Sequence, residues 1–443
     1  MEEPREKLSA AQKRDLRYQG LMAPQGVTFT SPQAKTRYQE RARRIISAYR
    51  VEEPDRVPVS LSVAATPAFL AGTDLHTVMY DYNLLFETWR RFNAEFDMDT
   101  GVMPGSGVLP GRVYDLLDYK LYHWPGHGLP LQASGAQYVE GEYMRPDEYD
   151  LLIRNPSDFW MRVYLPRTFG AFESWKSLQP LTNIIELPAG HFMPYINPAV
   201  QASLQRLIAI GNELAIWGKY NTDFTRSTLE SGMPLLVTGQ AKAPFDTIGD
   251  TLRGTKGIIQ DMYRQPEKLL EAIDVVTQFT IDQTLEAARG SGMLRVMFPL
   301  HKGADGFMSQ KQFERFYWPS LKKVLDALIA EGLLPLLFAE GSFDSRLESV
   351  NEFARGETAW LFDRTDMARA KKILGARCCI AGNVPTSLLL TGTPESVKQH
   401  CRQLIQDCAP GGGYILSGGA SFDQGNRENL QALIDAAQEY GIY

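Results

Sequence analysis

The feature that most constrains this chain is a rhythm. From residue 56 onward, apolar runs of strand length alternate with amphipathic helical stretches: RVPVSLSVA before LLFETWRRFNAEF, DMDTGVM, PLLVTGQ before EKLLEAIDVVTQFTIDQTLEAA, LRVMFPL before KQFERFYWPSLKKVLDALIA, LLPLLFA before SRLESVNEFA, TAWLFD before MARAKKIL, RCCIAGN before PESVKQHCRQLIQ, and GGYIL before ENLQALIDAAQEY. A strand covered on both faces is apolar along its whole length, and a helix between two strands carries the chain back so that they run parallel. Eight such strands favour an α/β fold of the closed (β/α)8 type over an open doubly wound sheet. No GxGxxG follows a strand and no Walker lysine loop occurs; GDTLRGTKG is too irregular to count.

Two regions stand outside the rhythm. Residues 1–55 form a polar extension, helical in pattern at YQERARRIISAY, expected to cover one end of the fold. Residues 56–443 are expected to form the barrel. It is interrupted at about 104–233 by aromatic, Pro/Gly-rich sequence such as GRVYDLLDYKLYHWPGHGLP, an insertion placed to sit over the barrel mouth as a lid. The net charge of -6, with Lys and Arg scattered, argues against a nucleic-acid partner. No apolar run reaches membrane-spanning length, and the start, MEEPREKLSAAQKRDLRYQG, is charged where a signal peptide is apolar, so a cytoplasmic protein is expected. The four cysteines, Cys378, Cys379, Cys401 and Cys408, contain no CxxC pair and are expected to be reduced and buried.

Barrel enzymes place their chemistry at the C-terminal ends of the strands. The polar residues there are Gln240 and Lys242, His301 and Lys302, Glu340, Asp363 and Arg364, Asn383 and Ser417. Lys302 and Arg364 are expected to be rim ion pairs or caps. His301, Glu340 and Asp363 end three consecutive strands and are the catalytic candidates. Glu340 closes the apolar run LLPLLFA, where core filling does not call for an acid. No GxSxG elbow occurs, Cys379 has no histidine near it in sequence, and Pro125 and Gly126 prevent His123 and His127 from sharing a helix face.

The order of EEPDRVPVSL, the insertion, SQKQFERFYWP, the strand ending at Glu340, AKKILGARCCIAGNVPTSLLLTGTPESV and GGGYILSGGASFDQGNRENLQALIDAAQEYG resembles the uroporphyrinogen decarboxylase superfamily over roughly residues 41–443. The resemblance implies a (β/α)8 barrel and one of two activities: decarboxylation of tetrapyrroles, or transfer of a methyl group to or from a corrinoid protein. The decarboxylases carry an RQAGRY motif whose arginines bind substrate carboxylates, and this chain has no such string. The thiol-methylating branch carries a His-x-Cys and a late Cys as zinc ligands. Here the matching positions read Phe338, Glu340 and Ala420 or Gly419, so zinc is not expected and no metal ligands are assigned.

The resemblance therefore implies a methyltransferase that moves a methyl group between a small substrate, aromatic, ether, amine or pterin, and a corrinoid (cobalamin) supplied by a partner protein. Burial keeps a carboxyl protonated, so Glu340 is expected to be buried and to act as general acid, with His301 as partner or alternate acid and Asp363 orienting the substrate. Gln240, Lys242, Asn383 and Ser417 are expected to bind substrate. The alternatives are a decarboxylase of a tetrapyrrole or other carboxylated substrate and a non-catalytic tetrapyrrole or corrinoid binder, with a homodimer an open option.

Overall fold

The computed structural model describes residues 7–105, 108, 110–182 and 187–443. Helices Ala10–Met22 and Pro32–Tyr49 come first. Each begins where a serine hydroxyl accepts a backbone N–H of the first turn: Ser9 from Gln12, and Ser31 from Ala34 ahead of Pro32. The chain then lays down an extended stave over residues 57–63, the helix Tyr82–Glu95 and a second stave over 98–102. Next come a small sheet of β1 (Tyr122–Pro125), β2 (Gly128–Leu129) and β3 (Gln137–Tyr138), then the long helix Pro198–Glu230.

Six parallel strands complete the architecture in sequential order: β4 (Thr238–Gln240), β5 (Arg295–Leu300), β6 (Leu334–Ala339), β7 (Ala359–Phe362), β8 (Cys379–Ala381) and β9 (Tyr414–Ile415). The two early staves close the ring with few bonds. Residue 59 bridges Leu416 in parallel, Asp99 N donates to Val59 O at 2.8 Å, and Gly101 N donates to Pro234 O at 2.8 Å. The eight strands predicted from sequence thus form one closed (β/α)8 barrel, with DMDTGVM and RVPVSL as staves held by isolated bonds rather than ladders.

Side-chain alternation divides each strand between two cores. Leu337 and Ala339 join the large outer core against the helices, whereas Leu334, Leu336 and Phe338 join an inner cluster. That inner cluster also receives Leu236 from just before β4, Met297 of β5, Leu361, Ala381 and Ile415; a cluster fed from six adjacent strand segments is the barrel lumen. Tyr18, Ile45 and Tyr49 of the first two helices pack into it and plug the N-terminal end, where Arg295 donates to Tyr49 Oη at 2.7 Å and to Thr238 Oγ1 at 2.9 Å. Asp99 ties this end together: its buried carboxylate accepts from Arg44, Arg56 and Val59 N at 2.8–3.0 Å. Polar residues that continue the inward register past Phe338, Pro299 and Leu361 must therefore rim the opposite end. They are Glu340, His301 and Asp363.

Candidate functional site

His301 and Glu340 meet at the C-terminal mouth, with His301 Nε2 3.6 Å from Glu340 Oε1. The shorter contact of the imidazole is to a residue outside the strand ends. His301 Nδ1 lies 2.6 Å from Asp250 Oδ2. Asp250 sits on a π-helical turn, Thr247–Arg253, that follows β4; such widened turns re-aim side chains and recur at functional sites. The same carboxylate faces Lys242 Nζ at 2.9 Å and Lys302 Nζ at 3.0 Å, and Lys302 also donates to Thr255 Oγ1.

One turn earlier, the fully buried Asp246 accepts from the backbone N–H groups of His301 and Lys302, both at 3.0 Å, and from Tyr317 Oη at 2.7 Å. It thereby fixes the chain where the imidazole leaves β5. The insertion braces this turn from outside. Tyr138 Oη donates to Asp250 O at 2.6 Å, and the buried Arg253 holds Asp261, Glu142 and Met144 O.

Charge follows from this geometry. Burial alone would lower the His301 pKa, but the contacts with Asp250 and Glu340 outweigh it and hold the imidazole up at about 10, so it is a cation at neutrality. Burial alone would raise Asp250, but His301 and then the two lysines outweigh it and keep the carboxylate ionised. Asp246 moves the other way, raised by burial and by the neighbouring charge of Asp250.

The other strand-end residues take different places. Glu340 is not buried: its side chain is 41% exposed, because the lumen opens to solvent one residue beyond Phe338. Asp363 accepts from Gly341 N at 3.0 Å and so caps the turn that begins at Glu340. Asn383 donates to the carbonyls of Asp363 and Thr365, and Ser417 is buried at the end of the last strand. Lys242 joins the Asp250 cluster, whereas the Gln240 side chain makes no hydrogen bond among the described residues. Lys302 is buried in its ion pair, and Arg364 is 81% exposed beside Asp363. In the insertion, His127 stacks on Trp124 at 4.5 Å and lies 3.2 Å from Asp115.

Asp246 and Asp250 were missed in the sequence because they follow β4 in helical, not strand, pattern. Their i, i+4 spacing in DTIGD was the available signal.

A thiolate-rich metal site does not fit the residues at the mouth. Phe338 packs in the lumen, Ala420 packs against it, Cys379 is buried among the apolar lumen side chains, and Cys378, Cys401 and Cys408 are buried in the outer core. Burial pushes Cys378 up to about 11 and Cys401 and Cys408 up to about 12. Among the described residues no three His, Cys, Asp or Glu side chains are grouped to hold a metal ion, and no helix is long and apolar enough to cross a membrane.

Comparison with known proteins adds three findings. The family model described as Uroporphyrinogen decarboxylase (URO-D) matches residues 186–440. The uroporphyrinogen decarboxylase of Syntrophotalea carbinolica is 26% identical over 215 residues, 47% of this chain and 61% of that protein; that of Azoarcus sp. is 28% identical over 184 residues, 40% and 49%. The chain thus spans about half to three-fifths of the length of the curated relatives it matches. A methyltransferase from Methanosarcina mazei superposes with a TM-score of 0.58 at 14% identity, over 90% of this chain and 98% of that one, a likeness of fold.

Proposed function

The chain belongs to the uroporphyrinogen decarboxylase family, and from that premise we propose that it is a methyltransferase in which the His301 imidazolium is the proton donor for methyl transfer between a small substrate and a corrinoid protein. The observation that carries the proposal is the asymmetry around His301: a tight contact to Asp250 on Nδ1 and a loose one to Glu340 on Nε2.

The Nδ1–H is committed to Asp250 at 2.6 Å, which orients the ring. The Nε2–H faces Glu340 across 3.6 Å, too long for a hydrogen bond. A substrate oxygen or nitrogen that displaces the half-exposed Glu340 carboxylate from Nε2 can take the proton as its bond to the methyl carbon breaks, so that the departing group leaves neutral. The ring left behind is neutral between two carboxylates and regains a proton from water on its exposed side. Lys242 and Lys302 keep Asp250 ionised throughout. Glu340 thus serves as counter-ion and gate rather than as the acid. Methyl acceptance is the chemistry a corrinoid on a partner protein would supply; binding, orientation and proton handling fall to this chain's residues.

The names of the curated relatives favour a second reading, decarboxylation, in which the same proton would go to the carbon left by carbon dioxide. Its weakness is anchorage. Lys242 and Lys302 face Asp250, and Arg364 stands in solvent, so these strand-end cations present no clamp for a polycarboxylate. The test is to offer the protein a reduced corrinoid protein with methyl ethers, methylamines or methyl-pterins, and separately uroporphyrinogen. Methylation of the corrinoid, seen in its visible spectrum, is the expected result. Carbon dioxide from uroporphyrinogen with no methyl transfer from any donor would overturn the proposal.

A further inference from the structure

A cavity of about 510 Å³ lies beside the charged cluster, between the exit of β4, the helix Pro266–Ala288 and the insertion segment around Trp160. Its size is that of a site for one small molecule. One formal charge lines it, Lys242, and that ammonium already faces Asp250 at 2.9 Å. A charged ligand would find no free counter-ion there, whereas a neutral one needs none. Trp160, Phe279 and Met293 supply flat rings and a thioether, surfaces that suit an aromatic guest.

The polar part of the lining is as informative. Thr280 and Thr284 turn their hydroxyls onto their own helix, donating to Val276 O and Thr280 O. Gln240, Gln283 and Ser157, all solvent-exposed, make no side-chain hydrogen bond among the described residues, so their polar groups at the cavity wall are free to exchange water for a ligand. A primary amide offers a donor and an acceptor side by side, so two of them recognise a ligand edge that carries both.

From this cavity we infer the substrate class: an uncharged, flat aromatic molecule with an oxygen- or nitrogen-bearing polar edge, held by Gln240 and Gln283 between Trp160 and Phe279. That this molecule also carries the transferable methyl group rests on the proposed function above; that it binds here does not. Lys242 joins the two regions, because it lines the cavity and pairs with Asp250 of the cluster.

The probes are 2-methoxyphenol, neutral at pH 7, and 2-methoxybenzoate, similar in size but anionic. Binding to the full chain is followed by calorimetry and by ligand-observed NMR, without turnover. The neutral probe is expected to bind at least tenfold more tightly than the anion. Gln283→Leu should weaken it about tenfold, the worth of one lost hydrogen bond of about 1.4 kcal/mol, and Ala287→Trp, which fills the cavity from an exposed helix position, should abolish it. Both variants should keep the wild-type melting temperature. Equal binding of both probes, no binding of the neutral one, or full binding to Ala287→Trp would overturn the inference. Binding as expected, with no methyl transfer from any donor, would leave the ligand class standing and remove the proposed reaction.

Discussion

Replacing Asp250 with asparagine keeps the size of the side chain and removes the charge that holds the His301 proton. The wild-type imidazole is raised from 6.5 to about 10, or 3.5 pH units. At about 1.36 kcal/mol per unit this corresponds to an upper bound near 4.8 kcal/mol in favour of the charged ring. The side chain is 35% exposed, so solvent screening reduces what reaches folding stability to about 2 kcal/mol. The hydrogen bond to Asp250 is the largest single favourable contribution, with Glu340 the second partner. Loss of the Asp250 charge also leaves Lys242 and Lys302 facing the ring without their counter-ion. The His301 pKa should therefore fall clearly below its wild-type value in Asp250→Asn.

Imidazole resonances followed by NMR titration, assigned with His301→Gln, measure this directly. The sign of the linked stability is fixed as well. A raised histidine stabilises fully below 6.5, and that stability is lost as the pH rises toward 10. Wild-type melting temperature should thus decline across that window from this group, and the Asp250→Asn curve should be flatter. A His301 that titrates near 6.5 in the wild type, or at an unchanged pKa in the variant, would refute the reasoning.

Other perturbations separate site from scaffold. Glu340→Gln should fold normally and slow the chemical step by about 10-fold or less, because the gate charge goes while the His301 proton stays; a loss of about 10³ would restore Glu340 as the acid. Asp99→Ala should destabilise by about 3–5 kcal/mol, read by chemical denaturation, because it removes the carboxylate partner of the part-buried Arg56, one of the two carboxylates on Arg44 and the acceptor of Val59 N, while the rate per folded molecule is unchanged. Purified protein should hold no stoichiometric zinc by elemental analysis, since Phe338 and Ala420 stand where the resemblance puts thiolate-site ligands.

The barrel was legible in the sequence because it is written in alternation. The run LLPLLFA sends Leu336 and Phe338 into the lumen and Leu337 and Ala339 outward, and that register alone aims Glu340 at the mouth. The burial of Glu340 was not legible, since an apolar strand says nothing about where its lumen opens. Asp250 was hidden for another reason. Its position depends on a widened helical turn and on bracing by Tyr138 and Arg253, contacts more than 100 residues apart in sequence. The staves 57–63 and 98–102 read correctly as strands, while their sparse bonding is a product of closure that no local pattern records.

The central claim is that His301 delivers the proton, and the pH dependence of single-turnover methyl transfer to a corrinoid protein tests it most directly. The wild-type rate should hold through neutrality and fall along an alkaline limb near 10, where the imidazolium is lost. The limb should move to lower pH in Asp250→Asn, and His301→Gln should be slower by about 10² to 10⁴ with no limb of its own. A His301→Gln variant that transfers methyl groups at the wild-type rate, with the alkaline limb intact, would contradict the account.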